Sequence, residues 1–116
     1  MYCRLLYKQS KSSRTGIVSF NVLYIEKGFN LRFAEQYIEN KVFSRNPVTR
    51  LKFENVELTT PMIVGIRELA LRGIFTELKY VDLSTLLRSK EELYDELCQI
   101  LFMLRKNTLI IEKNVD

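Results

Sequence analysis

The sequence predicts an α/β fold built from repeated strand–helix units, and three observations support this. Four strand-like segments (VLYI, LKFE, LKYV and LIIE) begin at residues 22, 51, 78 and 109, so they recur every 27 to 31 residues. Each has an apolar residue at its first and third positions, the two-residue period of a half-buried strand. The stretches between them have helical periodicity. A strand and a helix that repeat at this length are typical of a stack of units or of a wound α/β domain.

The first half of the chain predicts a hairpin followed by one helix. Strands are expected within 3–7 and 17–25, joined by a polar, basic loop that forms the tip of the hairpin. A helix is expected over 31–43, where Asn30 is suited to cap its first turn. Pro47 is expected to end this helix, because proline disfavours helical backbone in the residue before it.

The second half predicts two further strand–helix units and a final strand. A strand within 48–58 leads to a helix that Thr60 caps, with Pro61 at its first position and Gly73 at its end. A strand over 77–83 leads to a helix that begins with a capping box of Ser89 and Glu92.

Leucines at four-residue and three-residue spacings form the core stripe of that last helix. They are Leu93, Leu97, Leu101 and Leu104. A strand over 108–113 follows, so the predicted order is ββαβαβαβ in one α/β domain spanning 1–116. Strands joined by single helices are expected to be parallel. Two architectures fit this order: a stack with all helices on one side, and a wound α/β sheet with helices on both faces.

Composition excludes several classes of function. The chain has 116 residues, of which 47% are hydrophobic, and no apolar run is long enough to cross a bilayer or to act as a signal peptide. An intracellular, soluble protein without membrane association is therefore expected. With no histidine and two distant cysteines, the chain lacks the residues for His-ligated zinc or a Ser-His or Cys-His pair. It also lacks a phosphate-loop glycine motif. We expect no catalytic residue, no metal and no cofactor, and hence no enzyme.

Charge is unevenly distributed along the chain. Residues 1–52 contain ten Lys or Arg and three acids, whereas residues 53–116 contain eight and eleven. A basic half suggests a polyanionic neighbour such as a nucleic acid, although a solvated basic face gives the same pattern. The candidate polyanion-binding residues are Lys8, Lys11, Arg14, Arg45 and Arg50.

The segment 51–58 (LKFENVEL), followed by a helix and then by 78–83 (LKYVDL), resembles a leucine-rich repeat of the long, ribonuclease-inhibitor-like class. It is also similar to the degenerate repeats of F-box proteins. That class has the pattern L-x-L-x-x-N/C-x-L before its helix. The resemblance implies a short leucine-rich-repeat-like stack of βα units preceded by the N-terminal hairpin.

In such a stack, the outward side chains of the strands form the binding face. The resemblance implies that Leu51, Phe53, Leu78 and Tyr80 point into the core. It implies outward, partner-binding positions for Leu23, Ile25, Lys52, Glu54, Lys79, Val81 and Ile110, with Glu112 beside them.

Two functions of different classes follow from the sequence. The first is a non-catalytic interaction module, or small subunit of a larger assembly, that docks a protein partner through the outward strand residues. The alternative is a ribonucleoprotein component whose basic N-terminal half binds phosphates, which would give affinity without sequence choice.

Overall fold

A computed structural model describes residues 4–5, 22–40, 47–104 and 109–113 of the chain. These residues form an α/β structure with a mostly parallel sheet and three helices. In chain order the elements are β1 (Arg4–Leu5), β2 (Val22–Ile25), α1 (Leu31–Asn40), β3 (Arg50–Phe53), β4 (Val56–Glu57), α2 (Thr60–Leu71), β5 (Tyr80–Leu83), β6 (Leu86–Leu87), α3 (Glu91–Met103) and β7 (Ile110–Lys113).

The main sheet has five strands in the order β1-β2-β3-β5-β7, so its strands follow one another as they do along the chain. The strands β2, β3, β5 and β7 are parallel, and β1 is antiparallel to β2. The predicted antiparallel pairing of the first two strands and the predicted parallel strands are confirmed, whereas the predicted basic loop at the tip of the hairpin lies outside the described residues. The short strands β4 and β6 pair with each other in a second, two-stranded parallel sheet that the predicted order lacks.

One face of the main sheet is buried beneath the helices. Leu23, Leu51 and Val81 lie side by side in register on β2, β3 and β5, and each is at most 1% exposed. The alternate positions on the other face are half-buried or exposed. Within the described ranges, α2 contacts both α1 and α3, so the three helices form one layer on the buried face.

The predicted phase is wrong for the strand segment over 78–83 and also for 22–25, where Leu23 and Ile25 are buried instead of exposed. The sequence pattern aligns Leu78 with Leu51, but the register pairs Leu51 with Val81. Leu78 is buried in the turn before β5, and Tyr80 lies on the opposite face from Val81. Because successive side chains of a strand point to opposite faces, an error of any odd number of residues, here three, exchanges core and surface positions.

The ends of α1 and α2 are fixed by local hydrogen bonds. The Phe33 N–H donates to Asn30 Oδ1 at 3.0 Å, which confirms the predicted cap of α1. The cap of α2 is Thr59 and not Thr60: the Met62 N–H donates to Thr59 Oγ1 at 3.4 Å, and Thr60 is the first helical residue.

The predicted end of α2 at Gly73 is confirmed. Gly73 has φ +76°, and its N–H donates to the Ala70 carbonyl at 3.1 Å. The Ile74 N–H donates to the Leu69 carbonyl at 3.0 Å. These two bonds are those of a Schellman motif, which satisfies carbonyl groups that the last turn leaves without a partner.

The start of α3 differs from the predicted capping box. Lys90 occupies the cap position and makes no side-chain capping bond, so Ser89 lies one residue too early to cap the helix. Its hydroxyl instead accepts from the Leu58 N–H at 2.8 Å and donates to the Leu87 carbonyl at 2.8 Å. Ser89 therefore links the segment after β4 to the segment after β6.

The predicted core stripe of α3 is largely confirmed. Leu97 is 2% exposed and Leu101 is 8% exposed, and both belong to a single apolar cluster between the helices and the sheet. Apart from Tyr37, no side chain of the described part with a polar or charged group is fully buried. Burial of apolar area against one sheet face thus dominates the interior.

Replacement of Ser89 by Ala should destabilise the protein by about 1–3 kcal/mol, because the buried Leu58 N–H loses its acceptor. Chemical denaturation measures this loss, and amide exchange at Leu58 should become faster. The control is Lys90→Ala, which should change stability by no more than about 0.5 kcal/mol because no capping bond is lost. An equal loss in both variants would mean that the helix start matters and the link to Leu58 does not.

Replacement of Gly65 by Ala should also destabilise, even though alanine favours a helix. A Cβ at Gly65 would lie 2.8 Å from the backbone C and O of Asn30 and from the Phe29 ring, so α2 would have to move away from the start of α1. Such overpacking costs about 1–3 kcal/mol. The control is Val64→Ala on the exposed side of the same helix. A stabilised Gly65→Ala variant would contradict the close approach.

Candidate interaction surface on the sheet

The candidate site is the face of the main sheet that the described helices leave uncovered, and we call it the open face. It consists of the side chains at alternate positions of β2, β3, β5 and β7. The strand register arranges them in two rows. The first row is Val22, Arg50, Tyr80 and Ile110, and the second is Tyr24, Lys52, Asp82 and Glu112.

The first row is centred on Tyr80. The guanidinium of Arg50 lies over the Tyr80 ring, 4.4 Å from its centroid, in a cation–π contact. The Tyr80 hydroxyl donates to Glu112 Oε1 at 3.1 Å. This hydrogen bond to the carboxylate, more than any other cause, raises the pKa of Tyr80, so the phenol stays neutral at physiological pH.

The second row is centred on Asp82. Its Oδ1 accepts hydrogen bonds from the Ser84 N–H at 2.9 Å and from the Ser84 hydroxyl at 2.6 Å. Its Oδ2 lies 3.5 Å from Lys52 Nζ. Partial burial alone would raise the pKa of Asp82. The hydrogen bonds from Ser84 and the charge of Lys52 act in the opposite direction and together outweigh burial, so the pKa of Asp82 is lowered.

Charge changes sign across the open face. The basic residues Arg50 and Lys52 lie on β3, whereas Asp82 and Glu112 lie on β5 and β7. In the ranges that the structure covers, no group of three or more His, Cys, Asp or Glu side chains could hold a metal ion. The arrangement is suited to recognition of a surface with complementary charge.

Four of the predicted partner-binding residues are accessible. Lys52 and Ile110 lie on the open face, and Ile110 is 57% exposed. Glu54 follows the end of β3, and Lys79 precedes the start of β5, so they flank the face at opposite ends of neighbouring strands.

The outward positions predicted for Leu23, Ile25 and Val81 are wrong. Their exposed fractions are 1%, 0% and 0%, because the register turns them toward the helices. Tyr80 is the converse case: predicted for the core, it is half-exposed on the open face. Asp82 is the residue that could have indicated the correct phase. An ionised carboxylate within a strand is costly to bury, so Asp82 is expected to face solvent and the adjacent Val81 to face the core.

Of the predicted polyanion-binding residues, only Arg50 can be located. It is exposed on the open face, where it contacts Tyr80. The predictions for Lys8, Lys11, Arg14 and Arg45 concern residues outside the described part of the chain.

No family model matches the sequence, and no curated protein or solved structure is significantly similar to the chain. Among the helices that are described, none combines the length and the apolar character needed to span a membrane.

The lowered pKa of Asp82 predicts a pH-dependent contribution to stability. A carboxylate whose pKa is lower in the folded than in the unfolded protein stabilises the fold above its ordinary value of 3.8, and this contribution is lost as the pH falls through the lower, folded value. The free energy of unfolding of the wild type should exceed that of Asp82→Asn by a constant amount above about pH 5, and the difference should shrink at lower pH.

Denaturant titrations between neutral and acidic pH measure this difference. The matched control is Asp95→Asn, which removes an exposed carboxylate on α3. A difference for Asp82→Asn that stays constant down to the lowest pH would contradict the assigned network.

Proposed function

We propose that the chain is a non-catalytic interaction module, or a small subunit of a larger assembly, that docks a protein partner through the open face. The observation that carries this proposal is the composition of that face. Tyrosine, isoleucine and valine side chains alternate there with residues of both charges, held on parallel strands. Aromatic residues and arginine are enriched at protein interfaces, where they supply much of the binding energy.

We also propose that the fold is a short leucine-rich-repeat-like stack. Strands in chain order and one layer of helices support it. So do hydrogen bonds that join the unit of β3 to the unit of β5 at nearly the same offset. Thr85 Oγ1 accepts from the Asn55 N–H at 3.3 Å and donates to the Phe53 carbonyl at 2.6 Å. The link between Ser89 and Leu58 repeats this relation three to four residues further along. In this architecture the open face is the binding face.

A protein partner fits the open face better than a nucleic acid does. The positive charges on β3 already have partners in the structure, because Lys52 pairs with Asp82 and Arg50 lies over Tyr80. A phosphate backbone that crossed all four parallel strands would also meet the carboxylates of Asp82 and Glu112. Phosphate contacts need unopposed positive charge, whereas a protein surface can match both signs.

Site-specific cross-linking tests the docking surface. A photoreactive phenylalanine analogue replaces Ile110 on the open face, and the control carries it at Leu71 at the end of α2. The two positions have similar exposed fractions, 57% and 66%. In extracts from the native source, a discrete protein adduct should form from position 110 and not from position 71, and it should persist after nuclease treatment.

The variant Arg50→Ala should bind the same partner about tenfold more weakly, a loss of about 1.4 kcal/mol, because arginine at an interface is a frequent centre of binding energy. Titration with the purified partner measures this loss. An adduct that disappears with nuclease would favour the ribonucleoprotein alternative. Equal adducts from both positions would contradict docking through the open face.

A further inference from the structure

The core side of the main sheet is incompletely covered at β7. Ile111 lies in register beside Val81 and occupies the equivalent position on its strand, yet Ile111 is 42% exposed and Val81 is 0% exposed. On α3, Phe102 and Met103 are 63% and 49% exposed. A position that is part of the core on the inner strands is therefore open to solvent on the last described strand.

Beside this position lies an apolar groove of about 310 Å³ between α3 and the end of the sheet. It is lined chiefly by Leu83, Leu86, Tyr94, Cys98, Leu101 and Lys113. A cavity of this size is at the lower limit of ligand sites and can hold a small number of side chains.

The backbone of β7 also has hydrogen-bonding groups that face away from the sheet. The Ile110 N–H donates to the Lys79 carbonyl at 2.9 Å, so Ile110 directs its backbone groups toward β5. The N–H and C=O groups of adjacent residues in a strand point to opposite sides. Those of Ile111 and Lys113 consequently point outward from the edge, where another strand can pair with them.

Charge indicates which strand would fit. Asp82 on β5 has Lys52 opposite it on β3, at 3.5 Å. On the β7 side of Asp82, the residue in register is Glu112, which has no basic partner among the described residues. A strand added next to β7 in the same parallel register would place one of its residues opposite Glu112, as Lys52 is placed opposite Asp82.

We propose that the β7 edge binds an extended segment of a partner protein as an additional parallel strand. Such a segment carries an apolar residue beside Ile111, a lysine or arginine beside Glu112, and a second apolar residue beside Lys113 that can extend into the groove. Main-chain hydrogen bonds give affinity in this mode of recognition, and alternate side chains give specificity. The site differs from the open-face docking of the proposed function, because it uses the backbone edge of β7 and the core side of the sheet and shares only Glu112 with the open face.

The chain itself contains a segment with the required pattern. In β3, Leu51 and Phe53 alternate with Arg50 and Lys52, and this strand already pairs in parallel with β5. A synthetic peptide with the sequence of residues 49–54 (TRLKFE) is therefore the probe, added to the 116-residue chain in the Cys3→Ser background.

Peptide binding should shift the amide resonances of Ile111 and Lys113 and should protect the Cys98 thiol in the groove. At a free peptide concentration twice the dissociation constant, Cys98 should react with a thiol reagent about threefold more slowly, since only a third of the protein is then unbound. A control peptide with glutamate in place of its lysine should bind about tenfold more weakly, because it places like charge beside Glu112.

Two protein variants separate the edge from other surfaces. Glu112→Lys should invert the preference between the two peptides. Ile111→Pro should abolish binding, because it removes an N–H that points outward and is not needed for pairing with β5. If Ile111→Pro does not fold, the inversion by Glu112→Lys still decides the matter.

Three results would overturn the proposal. One is that the two peptides bind equally to wild type and to Glu112→Lys. Another is that resonance shifts are confined to the open face and Cys98 reactivity is unchanged. The third is light scattering that shows a dimer of the wild type and a monomer of Ile111→Pro, because a second copy of the chain would then occupy the edge.

Discussion

The alternation of side chains along the parallel strands is the constraint on which the other features of the structure depend. On β3, Leu51 and Phe53 are fully buried, whereas Arg50 and Lys52, which alternate with them, lie on the open face. A slip of one residue would bury two cations and expose two large apolar side chains, which is costly on both counts. The register that forms the core therefore also determines which residues form the open face.

The helix layer adds a second constraint. Neighbouring strands lie about 4.8 Å apart, whereas packed helices are usually 8–10 Å apart, so a layer of helices on one face tends to curve the sheet toward its other face. Gly65 reduces the helix-to-helix spacing locally, because it lets α2 approach the backbone of Asn30. The Thr85 and Ser89 hydroxyls meanwhile satisfy backbone groups in the turns, so the units are joined without a buried charge.

The sequence predicted elements well and phases poorly. The Asn30 cap, the Gly73 end and the buried leucines of α3 depend on nearby residues, and all were identified. The strand segment over 78–83 is ambiguous, because Leu78 and Tyr80 alternate as well as Val81 and Leu83 do. The cost of burying the Asp82 carboxylate favours Val81 as the core residue, and the pairing with β3 establishes it. The same ambiguity affected the candidate site. Lys52 and Val81 were both predicted to face outward, and only Lys52 does, because Val81 is buried in the core.

The tertiary role of Ser89 was equally inaccessible from local pattern. A serine followed three residues later by Glu92 satisfies the capping-box rule, yet its hydroxyl bonds to a backbone group 31 residues earlier. Capping rules describe what a side chain does when no stronger partner is near. The buried N–H of Leu58 is such a partner, because leaving it without an acceptor costs more than an uncapped helix start exposed to water.

Glu112 connects the two surfaces of the molecule. Its carboxylate accepts the Tyr80 hydroxyl on the open face, and its strand forms the edge of the sheet. A basic residue that pairs with Glu112 from the edge would share this carboxylate with the Tyr80 hydroxyl and weaken the hydrogen bond between them, because it draws negative charge away from the Glu112 oxygens. The Tyr80 ring supports Arg50, so a change at the edge would alter the position of a cation on β3. Binding at either surface would then alter affinity at the other by the same factor, since such coupling is reciprocal.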